Sequence, residues 1–192
     1  MSSTSVAGVC GSLRADSHSR KALRVALDGA AGAGATTELV DPRQYELPMY
    51  DPDIEDQADG PELRAALQDA DAVILGTPMY HGSYSNVLKN VLDYSGFDEF
   101  ENTTVGLLAV SGGSFPITAL DHLRSVCRAL DAWVLPHEAA VPRASAAFED
   151  GSLTDETLEE RLRVLGVRVV QYADIEPEPA NFSAEQNAGA DH

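Results

Sequence analysis

Hydrophobic residues in this chain form two kinds of pattern: short apolar-rich runs, and longer stretches in which apolar residues recur every three or four positions. Short runs are typical of buried strands, and we predict strands over 5–10, 37–40, 72–77, 104–110 and 132–135. Recurrence at helical spacing predicts helices over 19–31, 61–68, 85–94, 117–130 and 154–172. The predicted strands and helices therefore alternate along the chain.

This alternation predicts an α/β fold, in which a parallel sheet is covered by helices on both faces. Five strands fit the flavodoxin-like doubly wound arrangement with the sheet order 2-1-3-4-5, which binds ligands beyond the carboxyl ends of its strands. We expect one domain over residues 1–175, with a long loop over 41–60 and another from 136 through 148. Residues 176–192 are polar and acidic, and we expect a disordered tail there.

The charge of the chain limits its partners. It carries 31 acidic and 13 basic residues, for a formal net charge of −18 at pH 7. A surface this negative repels nucleic acid and anionic membranes, so we expect neither as a partner. The acidic residues are spread along the whole chain, which suggests adaptation to high salt, where ions screen the self-repulsion.

Other features of the composition point to a cytoplasmic protein without a metal. No apolar run reaches the roughly 18 residues of a membrane span, and the first residues lack the pattern of a secretory signal. We interpret Cys10 and Cys127 as buried free thiols. The five histidines do not stand at metal-ligand spacing, and no Cys-x-x-Cys motif occurs.

Three of the predicted strands are followed by loops that this fold brings to one edge of the sheet: residues 11–20, 78–83 and 111–114. The first loop, GSLRADSHSR, combines a glycine, several hydroxyls and an arginine just before a helix. Free amides and the dipole at a helix N-terminus favour an anion, so this loop suits a phosphate. A serine-capped helix after an ordinary polar turn would have a similar sequence.

The second and third loops, PMYHGS and SGGS, contain no lysine, carboxylate or metal-ligand spacing. They offer backbone amides, small residues and one tyrosine ring, which suit a flat polar heterocycle. A phosphate at one end and a planar ring at the other is the outline of FMN.

Three motifs resemble those of the NADPH-dependent FMN reductase family, which is flavodoxin-like in fold: GSLRADSHSRKAL, TPMYHGSYSNVLKNVLDY and SGGSFPITALDHLRSVCRALDAWVLP. They occur in the family's order and cover most of residues 5–142. The middle motif is the most specific, and the third resembles the alkanesulfonate-linked flavin reductase branch. The resemblance implies that the FMN phosphate is held by Ser12, Arg14, Ser17 and Ser19. It implies that the isoalloxazine ring is lined by Pro78, Met79, Tyr80, His81, Gly82 and Ser83, with Ser111, Gly112 and Gly113 on its other side.

The chain departs from much of the family at two of these positions. Met79 stands where Glu is frequent, and His81 stands where Asn is frequent. The subfamily, and with it the final electron acceptor, is therefore left open. Hydride transfer to a flavin needs orientation and amide donors from the protein rather than an acid or base, so we assign no catalytic residue. We interpret His81 as a packing or hydrogen-bonding residue.

We favour an enzyme that passes hydride from NADPH or NADH to FMN, and from there to a quinone, an azo compound, a metal oxyanion or a partner enzyme. The alternative is a flavodoxin-type electron carrier, which the acidic surface favours, and the third possibility is a flavin-free binding module. Whether FMN stays bound or is released is open. Family members form oligomers that complete the flavin site, so the resemblance implies a homodimer or homotetramer. Loop 41–60 would lie either at that contact or on its own subunit.

Overall fold

The computed structural model describes residues 3–173, which are built around a five-stranded parallel sheet with the order β2-β1-β3-β4-β5. Its strands are β1 (Ser5–Cys10), β2 (Thr36–Val40), β3 (Ala72–Pro78), β4 (Thr104–Val110) and β5 (Trp133–Val141). The helices are α1 (His18–Gly32), α2 (Gly60–Gln68), α3 (Asn86–Asp93), α4 (Phe97–Phe100), α5 (Ile117–Ala129), α6 (Ala144–Ala147) and α7 (Glu156–Gln171). A two-stranded hairpin follows α6, formed by β6 (Phe148–Glu149) and β7 (Ser152–Leu153). The predicted flavodoxin-like fold and strand order are confirmed.

Helices cover the sheet on both faces, because the central strands are apolar on both sides. Every residue of β4 is buried, as are the first six of β3. Helices α1 and α7 pack on one face, through side chains that include Leu23, Leu162 and Leu165. Helices α2, α3 and α5 pack on the other face. This two-sided cover leaves the strand ends as the place where loops can form a site.

Helices α1 and α7 approach each other so closely that their backbones touch. A Cβ added to Gly166 would lie 1.8 Å from the carbonyl oxygen of Ala26, and one added to Gly29 would lie 2.3 Å from that of Arg163. No side chain fits at either glycine. The first and the last long helices of the described residues therefore form one tightly packed layer.

The five long helices begin and end within two residues of their predicted bounds. Hydrogen-bonding side chains define several of their starts. The side chain of Ser17 accepts from the backbone N–H of Arg20 at the start of α1, and Ser85 caps α3 in the same way. These caps satisfy donors that lack partners within the helix.

The prediction was wrong between residues 136 and 148, where the structure has the rest of β5, helix α6 and the start of the β6–β7 hairpin instead of a loop. Between two pairing points β5 advances four positions, from Val134 to Glu138, while β4 advances two. The extra residues form a bulge that contains Pro136, and an edge strand tolerates proline at such a place. Because proline often marks the end of a strand, the prediction ended β5 directly before Pro136.

Loop 41–60 packs partly on its own chain. It begins with a 3-10 turn at Pro42–Gln44, and the carbonyl oxygen of Pro48 accepts hydrogen bonds from Tyr94 Oη and Asn90 Nδ2, both at 2.9 Å. Met49 nevertheless exposes 72% of its surface and Ile54 exposes 50%. The predicted tail, 176–192, lies outside the described residues.

Both cysteines are buried free thiols, as predicted. Burial raises the pKa of Cys127 to about 12 and also raises that of Cys10. A thiol reacts through its thiolate form, so neither side chain is suited to redox chemistry. Among residues 3–173, no helix combines the length and the apolar composition that a membrane crossing requires.

Candidate functional site at the carboxyl edge of the sheet

Three loops meet at the carboxyl edge of the sheet because each begins with an amide bonded to the neighbouring strand. The backbone N–H groups of Gly11, Met79 and Ser111 donate to carbonyls one strand away, at N···O distances of 2.7, 2.8 and 2.9 Å. These bonds extend the parallel ladder by one residue beyond β1, β3 and β4. The three loops that we predicted to converge therefore start side by side.

The serines of the first loop are buried and shape the turn. Ser17 Oγ caps α1, at 3.2 Å from the N–H of Arg20. Ser12 Oγ accepts from the N–H of Arg14 at 3.4 Å, and Ser19 is also buried. A hydroxyl that accepts one hydrogen bond can still donate its own proton, and the Ser17 hydroxyl is within hydrogen-bond reach of the Cys10 thiol.

Free amides lie at the start of helix α1. The N–H of Arg20 bonds to Ser17 Oγ, and that of Lys21 to the Ser17 carbonyl oxygen at 3.1 Å. The N–H groups of His18 and Ser19 have no acceptor among residues 3–173. The positive end of the α1 dipole lies at the same place, so this helix end can bind an anion.

The side chain of Arg20 lies beneath the first loop. The sequence pattern did not indicate a role for this residue. Its side chain is buried, and Nη1 donates to the carbonyl oxygens of Arg14 (2.9 Å) and Ala15 (3.1 Å). Nη2 donates to the carbonyl oxygen of Ser12 at 3.0 Å. Nε lies 3.0 Å from Oδ2 of buried Asp41, in an ion pair without the alignment of a hydrogen bond. One guanidinium thus joins the first loop to the residue after β2.

Asp41 forms ion pairs with two arginines, Arg20 and Arg43. Its Oδ2 lies 2.6 Å from Nη2 of Arg43, whose Nε also bonds to the carboxylate. Burial on its own would raise the pKa of Asp41, but the hydrogen bonds from Arg43 and the charge of Arg20 outweigh burial and hold the pKa below its usual value. Asp41 is therefore ionised at neutral pH.

The second loop is a tight turn. Tyr80 and Ser83 exchange two backbone hydrogen bonds, with N···O distances of 2.9 and 3.0 Å. The two residues between them, His81 and Gly82, have φ values of +50° and +82°. Such a turn needs two left-handed residues, and glycine or asparagine is favoured there over histidine. This backbone geometry therefore fits the Asn that is frequent here in the resembled family, and His81 adopts the same left-handed conformation in its place.

The second loop packs on helix α5. Thr118 Oγ1 donates to Met79 Sδ at 3.6 Å, and Ser83 Oγ lies 3.0 Å from His122 Nδ1. Tyr80 leaves 49% of its surface exposed at the rim. These contacts fix the loop while its tip remains open to solvent.

Ser85 connects the second loop to the first. Its Oγ donates to the Gly11 carbonyl oxygen at 2.6 Å and accepts from the N–H of Leu88 at 3.1 Å. A Cβ on Gly11 would lie 2.9 Å from Leu88 Cβ and 3.1 Å from the carbonyl oxygen of Gly76. Glycine at position 11 therefore allows the first loop to lie against the start of α3.

The third loop is held by two hydrogen bonds to the carbonyl oxygen of Gly113. Ser111 Oγ donates to the Gly113 carbonyl oxygen at 2.7 Å, and the N–H of Arg143 donates to the same oxygen at 2.8 Å. A Cβ on Gly112 or Gly113 would meet no atom within 4 Å. The loop therefore leaves open space beside it. Phe115, two residues after Gly113 in the chain, exposes 78% of its surface.

All the predicted site residues lie in these three loops, but their exposure differs. The buried ones are Ser12, Ser17, Ser19 and Ser111. The intermediate ones are Pro78, Met79, Gly82 and Ser83, and the exposed ones are Arg14, Tyr80, His81, Gly112 and Gly113. Arg14 makes no side-chain hydrogen bond or ion pair within residues 3–173, so its guanidinium is free to meet a ligand.

A cleft of about 410 Å³ opens beside the first loop. Its walls are the side of the first loop at Leu13, residues 42–49 of the long loop, and the first turn of α3 at Asn86 and Val87. The lining is mainly apolar, and Arg43 contributes its charge. The cleft therefore extends the site away from the third loop.

The chain is similar in sequence to known flavin enzymes. A sequence model of the family described as NADPH-dependent FMN reductase matches residues 4–146. An FMN-dependent NADPH-azoreductase from Staphylococcus aureus is 39% identical over 119 residues, which cover 60% of this chain and 63% of the relative. The alignment thus spans less than two thirds of that relative's length.

Solved structures share the fold. A flavoenzyme NAD(P)H:(acceptor) oxidoreductase from Paracoccus denitrificans, FerB, superposes with a TM-score of 0.75 at 24% identity, over 88% of this chain and 97% of that chain. An oxidoreductase from Corynebacterium diphtheriae gives a TM-score of 0.76 at 16% identity, over 91% of this chain and 99% of that chain. At these identities the likeness concerns the fold alone.

Proposed function

This chain belongs to the family of NADPH-dependent FMN reductases, and we therefore propose that it binds FMN at the carboxyl edge of its sheet and oxidises NADPH. The observation that carries the proposal is the meeting of an anion-type loop with two neutral, amide-rich loops at one edge. A ligand with a phosphate at one end and a flat polar ring at the other matches that arrangement.

The first loop would hold the phosphate. Ser12, Ser17 and Ser19 supply hydroxyls, and Arg14 supplies an exposed guanidinium. The unpaired amides at the start of α1 fit the same group, since they need an acceptor that the described residues do not provide. Hydroxyls, free amides and one guanidinium are donors that suit an anionic phosphate group.

The second and third loops would line the ring. Pro78, Met79, Tyr80, His81, Gly82 and Ser83 would lie along one side of it, and Ser111, Gly112 and Gly113 along the other. The absence of Cβ atoms at Gly112 and Gly113 supports this assignment, because a flat ring can approach their backbone closely. Amide donors in these loops would stabilise negative charge on a reduced ring.

FMN held by these loops would supply the redox chemistry, which is the transfer of a hydride equivalent from a nicotinamide to an acceptor. The chain's own part is to orient the ring, supply amide donors and keep one face of the site open to both substrates. We propose an azo compound or a quinone as the acceptor, supported by the azoreductase relative and by the exposed rings of Tyr80 and Phe115 at the rim.

The decisive experiment is an FMN titration of the purified protein in high salt, followed by NADPH or NADH under anaerobic conditions. We expect binding and then bleaching of the flavin absorbance, with NADPH the better donor, and decolourisation of an azo dye on its addition. Binding without bleaching would contradict the reductase and favour the electron carrier. Absence of FMN binding at any salt concentration would contradict the site itself.

We also propose a homodimer or homotetramer in the cytoplasm of a salt-adapted cell. The exposed apolar side chains of Met49, Tyr50 and Ile54 in loop 41–60 support a subunit contact. Light scattering in high salt should give a mass of two or four chains, and Met49→Asp should lower it. A monomer at all concentrations would contradict the proposal.

A further inference from the structure

We propose that Arg20 is a positioning residue that holds the first loop in its anion-binding form, with Asp41 as its anchor. This inference rests on the proposed function, because its ligand is the phosphate of FMN. Arg20 itself does not reach the ligand: only 5% of its side chain is exposed, and its three nitrogens face the loop carbonyls and Asp41.

The hydrogen bonds from Arg20 fix the direction of three peptide groups in the first loop. Its guanidinium donates hydrogen bonds to the carbonyl oxygens of Ser12, Arg14 and Ala15, with N···O distances of 2.9 to 3.1 Å. In a trans peptide the C=O and the following N–H point in opposite directions. The N–H groups of Leu13, Ala15 and Asp16 therefore point away from Arg20, on the side where an anion would lie.

The same bonds remove an obstacle to anion binding. A carbonyl oxygen carries negative partial charge, and a loop that turned these three carbonyls outward would repel a phosphate. Arg20 fixes all three beneath the loop, and successive outward N–H groups form the kind of concave site that binds phosphates. A neutral side chain at position 20 would leave the partly buried carbonyls of Arg14 and Ala15 without a donor. The Ser12 carbonyl would keep only the weak donor Cys10 Sγ, at 3.7 Å, and the loop would be free to turn.

Asp41 fixes the guanidinium in place and compensates its charge. It is buried directly after β2, and Arg43 binds its Oδ1 through Nε and its Oδ2 through Nη2. Because Arg43 remains when Arg20 is replaced, Asp41 is not left as an unpaired buried charge. The first loop is thereby connected to the end of β2. Replacement of Arg20 can alter the loop while the buried Asp41 carboxylate keeps Arg43 as its partner.

The test compares FMN with riboflavin, which has the same ring system but no phosphate. We expect Arg20→Met to weaken FMN binding by about tenfold or more and to change riboflavin binding by less than about twofold. Arg24→Met is the matched control, since Arg24 lies on the exposed face of the same helix, and it should change neither affinity. Equal loss of both ligands, or no loss of FMN binding, would overturn the inference.

A second variant decides the question if Arg20→Met does not fold. Arg20→Lys keeps the charge but has no planar fork to span three carbonyls. It should lower FMN affinity by about threefold or more while riboflavin affinity stays unchanged, and an unchanged ratio of the two affinities would overturn the inference. Wild-type protein that does not prefer FMN to riboflavin would instead contradict the proposed phosphate loop, so the two failures are distinguishable.

Discussion

At the scale of single residues, Arg14 and Ser17 lie three positions apart in the first loop but have different surroundings. The Arg14 side chain is exposed and unpaired within residues 3–173, whereas Ser17 is buried and caps α1. We expect Arg14→Ala to weaken FMN binding by about tenfold, the effect of one lost charge-assisted hydrogen bond. Its melting temperature should not change, because no contact of the folded chain is removed. Fluorescence titration and thermal unfolding measure both quantities.

Ser17→Ala is the contrasting variant. It should lower the free energy of unfolding by about 1 kcal/mol through loss of the cap, as well as weakening FMN binding. Together the two replacements should cost more than about tenfold in FMN affinity. Unchanged affinity in the double variant would contradict the assignment of this loop to the phosphate.

His18 adds a pH dependence to the same loop. Its ring stacks on Phe148 with centroids 5.0 Å apart, and burial, together with the charge of Lys21, lowers its pKa. The unfolded chain therefore takes up a proton more readily, so the folded state loses stability as the pH falls through the ordinary histidine value of about 6.5.

The variant His18→Phe keeps a ring against Phe148 but does not titrate. As the pH is lowered from about 7.5 to about 5.5, we expect the melting temperature of the variant to rise relative to that of the wild type. Above this range the difference between the two proteins should be constant, which is the internal control. A difference that does not change with pH would contradict the lowered pKa of His18 in the folded state.

The sequence predicted that three loops start side by side at one edge of the sheet, but not the contacts beneath them. Ser12 and Gly112 could be selected because each lies just after a strand, and strand ends meet at one edge. Arg20 was missed, although a signal existed: it shares a helical face with Leu23 and Leu27, where a buried charge requires a partner. That partner, Asp41, is 21 positions away in sequence, and only the folded chain brings the two together.

At the scale of elements, the contact between α1 and α7 sets the spacing of one helical layer. Gly166→Ala would place a methyl group 1.8 Å from the carbonyl oxygen of Ala26, so the helices must separate. We expect a loss of about 1–3 kcal/mol in the free energy of unfolding, since overpacking against backbone is poorly relieved. Denaturant unfolding measures it.

Gly32→Ala is the matched control, because Gly32 lies in α1 and a Cβ there would meet nothing within 4 Å. This variant should stabilise the protein by up to about 1 kcal/mol through helix propensity. Similar effects of the two replacements would contradict the close contact between the helices.

Some helices and strands could be predicted from the hydrophobic pattern of the sequence alone. Helices such as α5 were predicted closely because their apolar positions repeat over several turns, and β4 because its run is uninterrupted. Strand β5 was cut short because Pro136 stands inside it, and the bulge that accommodates the proline depends on pairing with β4. Helix α4, only four residues long, contains no repeat to recognise.

At the scale of the whole molecule, the net charge of −18 makes salt part of the stability. Like charges repel across the surface, and salt shortens the range of that repulsion from about 10 Å at 0.1 M to about 3 Å at 1 M. We expect the melting temperature to rise as NaCl is raised from about 0.1 M to about 2 M. An equally osmotic solution of a neutral solute is the control, and an equal rise there would show that screening is not the cause.

Helix α7 also affects when the protein can fold during synthesis. The family match ends at residue 146, but α1, which begins at His18, packs along a helix that is completed only at Gln171. A nascent chain that has made the whole sheet still exposes what α7 covers, namely the side of α1 at Ala26 and Gly29 and the sheet face at Gly106. Because long-range contacts form late, this surface stays uncovered until α7 has left the ribosome, and until then chaperones can bind it.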